Sequence, residues 1–190
     1  MGYEFELKFR AGADTLARLR REVAGEETIY HMHTTYYDTT DGALSAKKYT
    51  LRRRMENDIS VCTLKTPAKR EGRGEFEVKS DTIETAIPML CKLSGLPELE
   101  NITVTEVCGA KFTRIAKTFT WQGTTMELAL DSGCLYGGGR TAPISEAEIE
   151  LKAGSEETVR AFGAFLMAAY GLTPEKVSKF RRGLALYRGE

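Results

Sequence analysis

The sequence predicts an α+β protein that is mainly antiparallel β: about eight strands closed into a barrel, with a few helices packed against it. Three observations predict this. The stretch YEFELKFR, Tyr3 to Arg10, alternates strictly, with Tyr3, Phe5, Leu7 and Phe9 in one set and Glu4, Glu6, Lys8 and Arg10 in the other. That is the period of a strand, whose side chains point to opposite faces. At least five further segments alternate in the same way and are separated by short turn signals. No linker, low-complexity block or fixed-period repeat interrupts the chain, so residues 1–190 read as one domain.

The elements follow in order. GADTLARLRREVAG places Leu16, Leu19 and Val23 at helical spacing, with Asp14 able to cap and Gly25 able to stop the helix. Residues 28–39, TIYHMHTTYYDT, are rich in β-branched and aromatic side chains and predict a strand. DGALSAKK is a connection. YTLRRRM and ISVCTLKTP are strands around the turn ENDI, and EFEVKS follows the loop KREGRGEF. SDTIETAIPMLCKLSG predicts a helix with Asp81 and Glu84 as a capping box and Pro88 as a kink. AKFTRIAKTFTW, TTMELALDSG and EAEIELKAG are three more strands. SEETVRAFGAFLMAAYG is a helix ending at Gly171, and TPEKVSKFRRGLAL is a last helix opening with Pro174 at its first position. So many strands commonly close on themselves to remove edges.

Composition narrows the function classes. The 27 basic and 27 acidic residues cancel, so no global field favours nucleic acid or an anionic membrane. No apolar run is long enough to span a bilayer, and the chain enters a strand pattern too early for a signal peptide. The cysteines, Cys62, Cys91, Cys108 and Cys134, are widely spaced without a C-x-x-C, as expected of reduced thiols in a cytoplasmic protein. The oligomeric state is not encoded in any visible interface stripe.

The polar strand faces carry the chemistry. Arg52 and Arg54 share a face, as do Thr63 and Lys65. Glu75, Glu77 and Lys79 oppose Phe76 and Val78, and Glu127 and Asp131 oppose Leu128 and Leu130. Glu146, Glu148, Glu150 and Lys152 oppose Ala147, Ile149 and Leu151, while Arg114 sits with Phe112 and Ala116. Solvated strand faces are usually rich in Thr, Ser and Gln, and Glu is depleted in strands. Here nearly every polar position is ionisable, and the signs are segregated by strand. The alternative to an ordinary wet face is inversion, with apolar faces turned outward against helices and charged faces lining a lumen. Basic groups there require an anion and carboxylates a cation. Polyphosphate carrying Mg²⁺ or Mn²⁺ satisfies both.

Those residues resemble the CYTH, or triphosphate tunnel metalloenzyme, superfamily. The E-x-E-x-K of Glu4, Glu6 and Lys8 is followed in order by YYDT (36–39), Arg52/Arg54, Lys65, Glu75/Glu77, Arg114, ELALDSG, EIEL at Glu148/Glu150, and SKFRRG (178–183). The ELALDSG, EAEIELKAG and SK..RG pieces are most similar to the bacterial inorganic triphosphatase branch. The resemblance implies an eight-stranded triphosphate tunnel and hydrolysis of inorganic triphosphate to pyrophosphate and phosphate. It implies a basic clamp of Lys8, Arg52, Arg54, Lys65, Arg114 and Lys179. Glu4, Glu6, Glu148 and Glu150, with Asp131 and Glu77, would hold Mg²⁺ or Mn²⁺. Glu4, Glu6, Lys8, Arg52, Arg54 and Lys65 form the expected catalytic set. Glu127 and Glu146 fit the tunnel mouth as well as its interior. Thiamine triphosphatase, class IV adenylyl cyclase and a non-catalytic polyphosphate- or nucleotide-binding module are the rival readings. His31 and His33 lack further metal ligands, and YGGGR (136–140) lacks the lysine of a phosphate loop and is read as a hairpin connection.

Overall fold

The structure, a computed structural model, describes residues 5–67 and 73–190. The elements are β1 (Glu6–Arg10), α1 (Ala13–Glu22), β2 (Glu26–Asp38), α2 (Ala43–Ala46), β3 (Thr50–Glu56), β4 (Ile59–Pro67), β5 (Arg73–Lys79) and α3 (Ile83–Ser94). They continue with β6 (Thr105–Trp121), β7 (Thr124–Gly137), β8 (Arg140–Ala153), α4 (Glu156–Tyr170), β9 (Thr173–Pro174) and α5 (Lys179–Arg188). All strand pairings are antiparallel, in the order β5-β4-β3-β2-β6-β7-β8-β1-β9. The mainly antiparallel fold with outer helices is as expected.

The sheet departs from the closed, eight-stranded barrel expected. Among the described residues the sheet has nine strands, and no pairing joins its edge strands β5 and β9. The added strand explains its own edge position: it is two residues long, and Pro174 has no N–H to extend the ladder. Pro174 therefore does not open a helix. The last helix begins five residues later, where the Ser178 hydroxyl accepts from the Arg181 N–H at 3.2 Å. Two other caps differ from expectation. Thr82, not Asp81, accepts from the Thr85 N–H, at 3.3 Å. Gly12 precedes α1, leaving Asp14 in the first turn, where it favours the helix dipole. The connection after Asp38 contains α2, whose first amides are held by the buried Asp38 carboxylate. It accepts from Thr39 N–H at 2.8 Å, Leu44 N–H at 3.0 Å and Ser45 N–H at 3.2 Å.

The two largest parts of the hydrophobic core lie outside the curled sheet. Leu128, Leu130, Ala147, Ile149 and Phe9 on β7, β8 and β1 pack against Leu16 and Leu19 of α1 and Val159, Phe162 and Leu166 of α4. Leu51, Cys62 and Leu64 on β3 and β4 pack against Ile83, Ala86, Ile87 and Leu90 of α3. Each such large side chain contributes about 1.5–3 kcal/mol by leaving water. A one-residue register slip would expose the whole set, so the alternation fixes which face turns inward. Gln122-Gly123 and Gly138-Gly139 turn the β6–β7 and β7–β8 hairpins. All four residues have positive φ, the backbone that a tight two-residue turn demands.

One helix occupies the concave side. Helix α5 lays Phe180 beside Tyr36 and Cys108, and Leu186 beside Met32, Ala110, Phe112, Leu135 and Ile144. It approaches closely because Gly183 and Gly137 meet: a Cβ on Gly137 would lie 2.6 Å from the Gly183 carbonyl oxygen. Burial pushes the thiols of Cys62 and Cys108 up to about 11 and about 12, so both stay protonated at neutral pH. No helix among the described residues is long and apolar enough to cross a membrane.

Candidate functional site: a charged cavity on the concave face

The concave face encloses a cavity of about 900 Å³ lined from β1 through β8 and from α5. Its two sides differ in how far their charges are satisfied.

On one side β3 projects Arg52 and Arg54, β4 projects Lys65, and β5 projects Glu75 and Glu77. Lys65 Nζ lies 3.1 Å from Glu75, and an Arg52 Nη lies 3.6 Å from the same carboxylate. Among the described residues the one carboxylate Arg54 reaches is Glu56, on its own strand, at 3.3 Å. Glu77 accepts from the Thr63 hydroxyl at 2.9 Å. The Nε atoms of Arg52 and Arg54 are buried with no partner among the described residues. Burial, together with the Arg52 and Arg114 cations, pulls the Arg54 guanidinium below the ordinary arginine value. The local field is therefore positive beyond what its own carboxylates offset, and it favours an anion.

On the other side the charges close on one another. Lys179 Nζ lies 2.8 Å from Asp131, 2.7 Å from Glu146 and 2.8 Å from Glu148. Arg114 grips Asp131 through Nε and Nη2, both at 2.8 Å, and reaches Glu148 at 2.5 Å. Arg182 donates to Glu146, and Lys8 lies 3.4 Å from both Glu148 and Glu6. Register creates the cluster, since Arg114 is directly opposite Asp131, which is directly opposite Glu146, and Lys8 is opposite Glu148. Burial pushes the Glu148 carboxyl up, but Lys179, Arg114 and Lys8 outweigh it and hold it well below the usual range. Burial pulls Lys179 and Lys8 down, and their carboxylates more than reverse it, leaving both above the ordinary lysine value.

These shifts set a pH window. A depressed carboxyl stabilises the fold fully above its unfolded value near pH ~4.3, and that contribution fades as pH falls through its lower folded value. A raised lysine contributes fully below about pH 10.4 and loses its contribution as pH rises through its folded value. The melting temperature is expected to be flat from about pH 5 to about pH 10 as far as this cluster is concerned. Calorimetry in chelator tests it; a titration step near pH 6 that Glu148→Gln abolishes would contradict it.

The acidic groups divide likewise. Asp131, Glu146 and Glu148 bring oxygens within 4.8 Å of one another, a spacing that suits a metal ion. The point they share is the Lys179 ammonium, so an internal cation already balances them. The row Glu6–Glu150–Glu127 differs. Glu6 is directly opposite Glu150, and Glu150 directly opposite Glu127, all toward the cavity. Like charges facing across strands are unfavourable. Lys152, 2.9 Å from Glu150 and 3.7 Å from Glu127, offsets part of this. An all-oxygen donor row suits a hard divalent cation such as Mg²⁺ or Mn²⁺.

The structure thus brings Glu6, Lys8, Arg52, Arg54, Lys65, Glu77, Arg114, Glu148, Glu150 and Lys179 around one cavity, with Asp131 buried behind Arg114. Glu4 lies outside the described residues. Glu127 faces the cavity; Glu146 does not sit at a mouth but is fully buried beneath Lys179 and Arg182. Sequence alternation had no way to find Arg182, whose contribution depends on where α5 docks. His31 and His33 point to the outer face, and His33 Nε2 lies 3.0 Å from the Tyr136 hydroxyl.

A curled antiparallel sheet with ionised groups on its concave face and helices on its convex face is the class this chain defines. The chain belongs to the CYTH domain family, whose model matches residues 2–184. It is 29% identical over 194 residues to an inorganic triphosphatase of Haemophilus influenzae, covering 96% of this chain and 54% of that protein. It thus spans about half the length of that relative. A Hippeastrum protein named as an adenylyl cyclase and described as having a dominant triphosphatase activity shares the fold, with TM-score 0.65, 20% identity, and 98% and 96% of the two chains covered. PH1819 of Pyrococcus horikoshii does so with TM-score 0.61, 23% identity, and 94% and 96% covered.

Proposed function

We propose that this chain is a divalent-metal-dependent triphosphatase that hydrolyses inorganic triphosphate to pyrophosphate and phosphate. The observation that carries the reading is a cavity whose one side presents incompletely paired Arg52 and Arg54 while the facing side presents a row of carboxylates. The H. influenzae relative and the activity described for the Hippeastrum protein support it. The span of the family match supports treating residues 1–190 as one CYTH domain, and four free cysteines fit a cytoplasmic setting.

Lys8, Arg52, Arg54 and Lys65 bind the triphosphate. Arginine suits the work because its planar fork meets two phosphoryl oxygens at once. Glu6 and Glu150, with Glu4, Glu77 and Glu148, are the proposed holders of Mg²⁺ or Mn²⁺. The metal, when bound, withdraws electron density from phosphoryl oxygens and makes bound water more acidic. Water oxygen forms the new bond to the terminal phosphorus while the bridging P–O bond breaks. The guanidinium groups meet the charge that grows on the departing pyrophosphate, and the water's proton passes to a carboxylate and then to solvent. Arg114, Lys179 and Asp131 act one layer back: they hold Glu148 and Lys8 in place.

Tripolyphosphate, thiamine triphosphate and ATP are each incubated with the protein, with Mg²⁺, Mn²⁺ or excess chelator. Phosphate, pyrophosphate and cAMP are then followed. The fastest phosphate release is expected from tripolyphosphate, falling to background in chelator and returning with added metal. Full activity in chelator removes the metal from the reading, cAMP as the main product makes the chain a cyclase, and tight binding without turnover makes it a binding module.

A further inference from the structure

Three buried side-chain atoms on the concave face have no hydrogen-bond partner among the described residues: Thr34 Oγ1, Arg52 Nε and Arg54 Nε. They belong to one patch. Thr34 on β2 is directly opposite Arg54 on β3, and Arg52 faces the same way two residues along. Thr34 is 1% exposed and Arg52 9%. On its other flank Thr34 faces Ala110 of β6, which offers no polar side chain. The fourth such atom among the described residues, Arg182 Nε, belongs to α5 and to the opposite cluster.

Buried polar groups are nearly always paired, so three unpaired atoms side by side ask for a common partner. The chemistry of the three defines it. Each Nε–H can only donate, and the threonine hydroxyl can turn its proton to donate as well. A group with several acceptor oxygens and negative charge suits all three. Water suits them poorly, because its own protons would find few acceptors among guanidinium groups. A phosphoryl group carries acceptor oxygens only and is attracted by the positive field.

We infer that Thr34 is a substrate-binding residue whose hydroxyl donates to an oxygen of the phosphoryl group clamped by Arg52 and Arg54. The inference rests on the triphosphatase reading and deepens it. It assigns to β2 a place in the clamp and makes the β2–β3 pair, not β3 alone, the seat of one phosphoryl group. The ligand class is a polyphosphate end with at least two free oxygens on one phosphorus. A carboxylate brings two oxygens to three donors and suits the patch less well.

Isothermal titration of the full chain with tripolyphosphate, in chelator so that only the protein's own groups bind, tests this. Thr34→Val keeps shape and removes the hydroxyl; it is expected to weaken binding about tenfold. Thr34→Ser keeps a donor and is expected to stay within about threefold of the original protein. The melting temperature of Thr34→Val without ligand is expected to be unchanged or raised, since an unsatisfied hydroxyl is replaced by a methyl. Equal affinity in Thr34→Val overturns the inference while leaving the triphosphatase reading intact. So does weakened binding that Thr34→Ser does not restore, which makes shape the cause, or a lowered melting temperature with affinity unchanged. An original protein that binds tripolyphosphate only with Mg²⁺ present overturns this inference alone; one that binds it neither in chelator nor with Mg²⁺ overturns the triphosphatase reading, and this inference with it.

Discussion

Arg54→Ala is expected to lower kcat/KM for tripolyphosphate by about 10²–10³-fold, the usual cost of removing one preorganised donor to developing charge. The fold should survive it. Among the described residues Arg54 makes one ion pair, at 3.3 Å to Glu56, and is otherwise buried beside Arg52 with an unpartnered Nε. Its guanidinium is held in the charged state against both burial and like-charged neighbours. Removing it relieves that repulsion, so the melting temperature should hold or rise. This pairing of outcomes separates a binding group from a structural one, because a structural arginine loses stability and activity together. Steady-state kinetics beside calorimetry give both readouts. Activity within threefold of the original protein would remove Arg54 from the clamp. Arg54→Lys should recover only part of the loss, since an ammonium cannot present two parallel donors.

Lys179→Met is expected to destabilise the protein by about 3–5 kcal/mol, the range for leaving a buried charge cluster without its partner. In a chain of this size that lowers the melting temperature by on the order of 10 °C. The cause is specific. Asp131, Glu146 and Glu148 meet at the Lys179 ammonium, each within 2.8 Å. Without it, Arg114, Arg182 and Lys8 remain to offset three buried carboxylates and cannot reach their common centre. The same loss loosens α5, because Lys179 and Arg182 carry its ion pairs to β7 and β8. Asp131→Asn added to Lys179→Met should return part of the stability by removing one unpaired charge, and thermal unfolding of the single and double variants measures that coupling. If Lys179→Met melts with the original protein, the cluster is not what anchors the helix.

Much of this fold is readable from alternation. Arg52, Arg54 and Lys65 fall on one face because Leu51, Cys62 and Leu64 must meet α3, and Glu148 and Glu150 turn inward because Ile149 must meet α4. Local pattern is enough where an apolar face forces the other side. It fails where the outcome depends on pairing between distant segments. Pro174 carries the signal of a helix start, yet two residues of pairing with β1 place it in an edge strand instead. Closure of the sheet is likewise a matter of which edges meet, and no single strand records that. Lys179 and Asp131 were legible as charged and inward but not as each other's partners. Thr34 was invisible as a candidate because a threonine is ordinary in a strand; only its surroundings in three dimensions show that none of the described residues meets its hydroxyl.

Strand β1 pairs Glu6 with Glu150, residues 144 positions apart in a chain of 190. The two acidic motifs thus come together only after the intervening loop has paid its closure entropy, which slows formation of such distant contacts. The carboxylate row therefore has no counterpart in any shorter piece of the chain: it comes into being only when residue 150 pairs with residue 6.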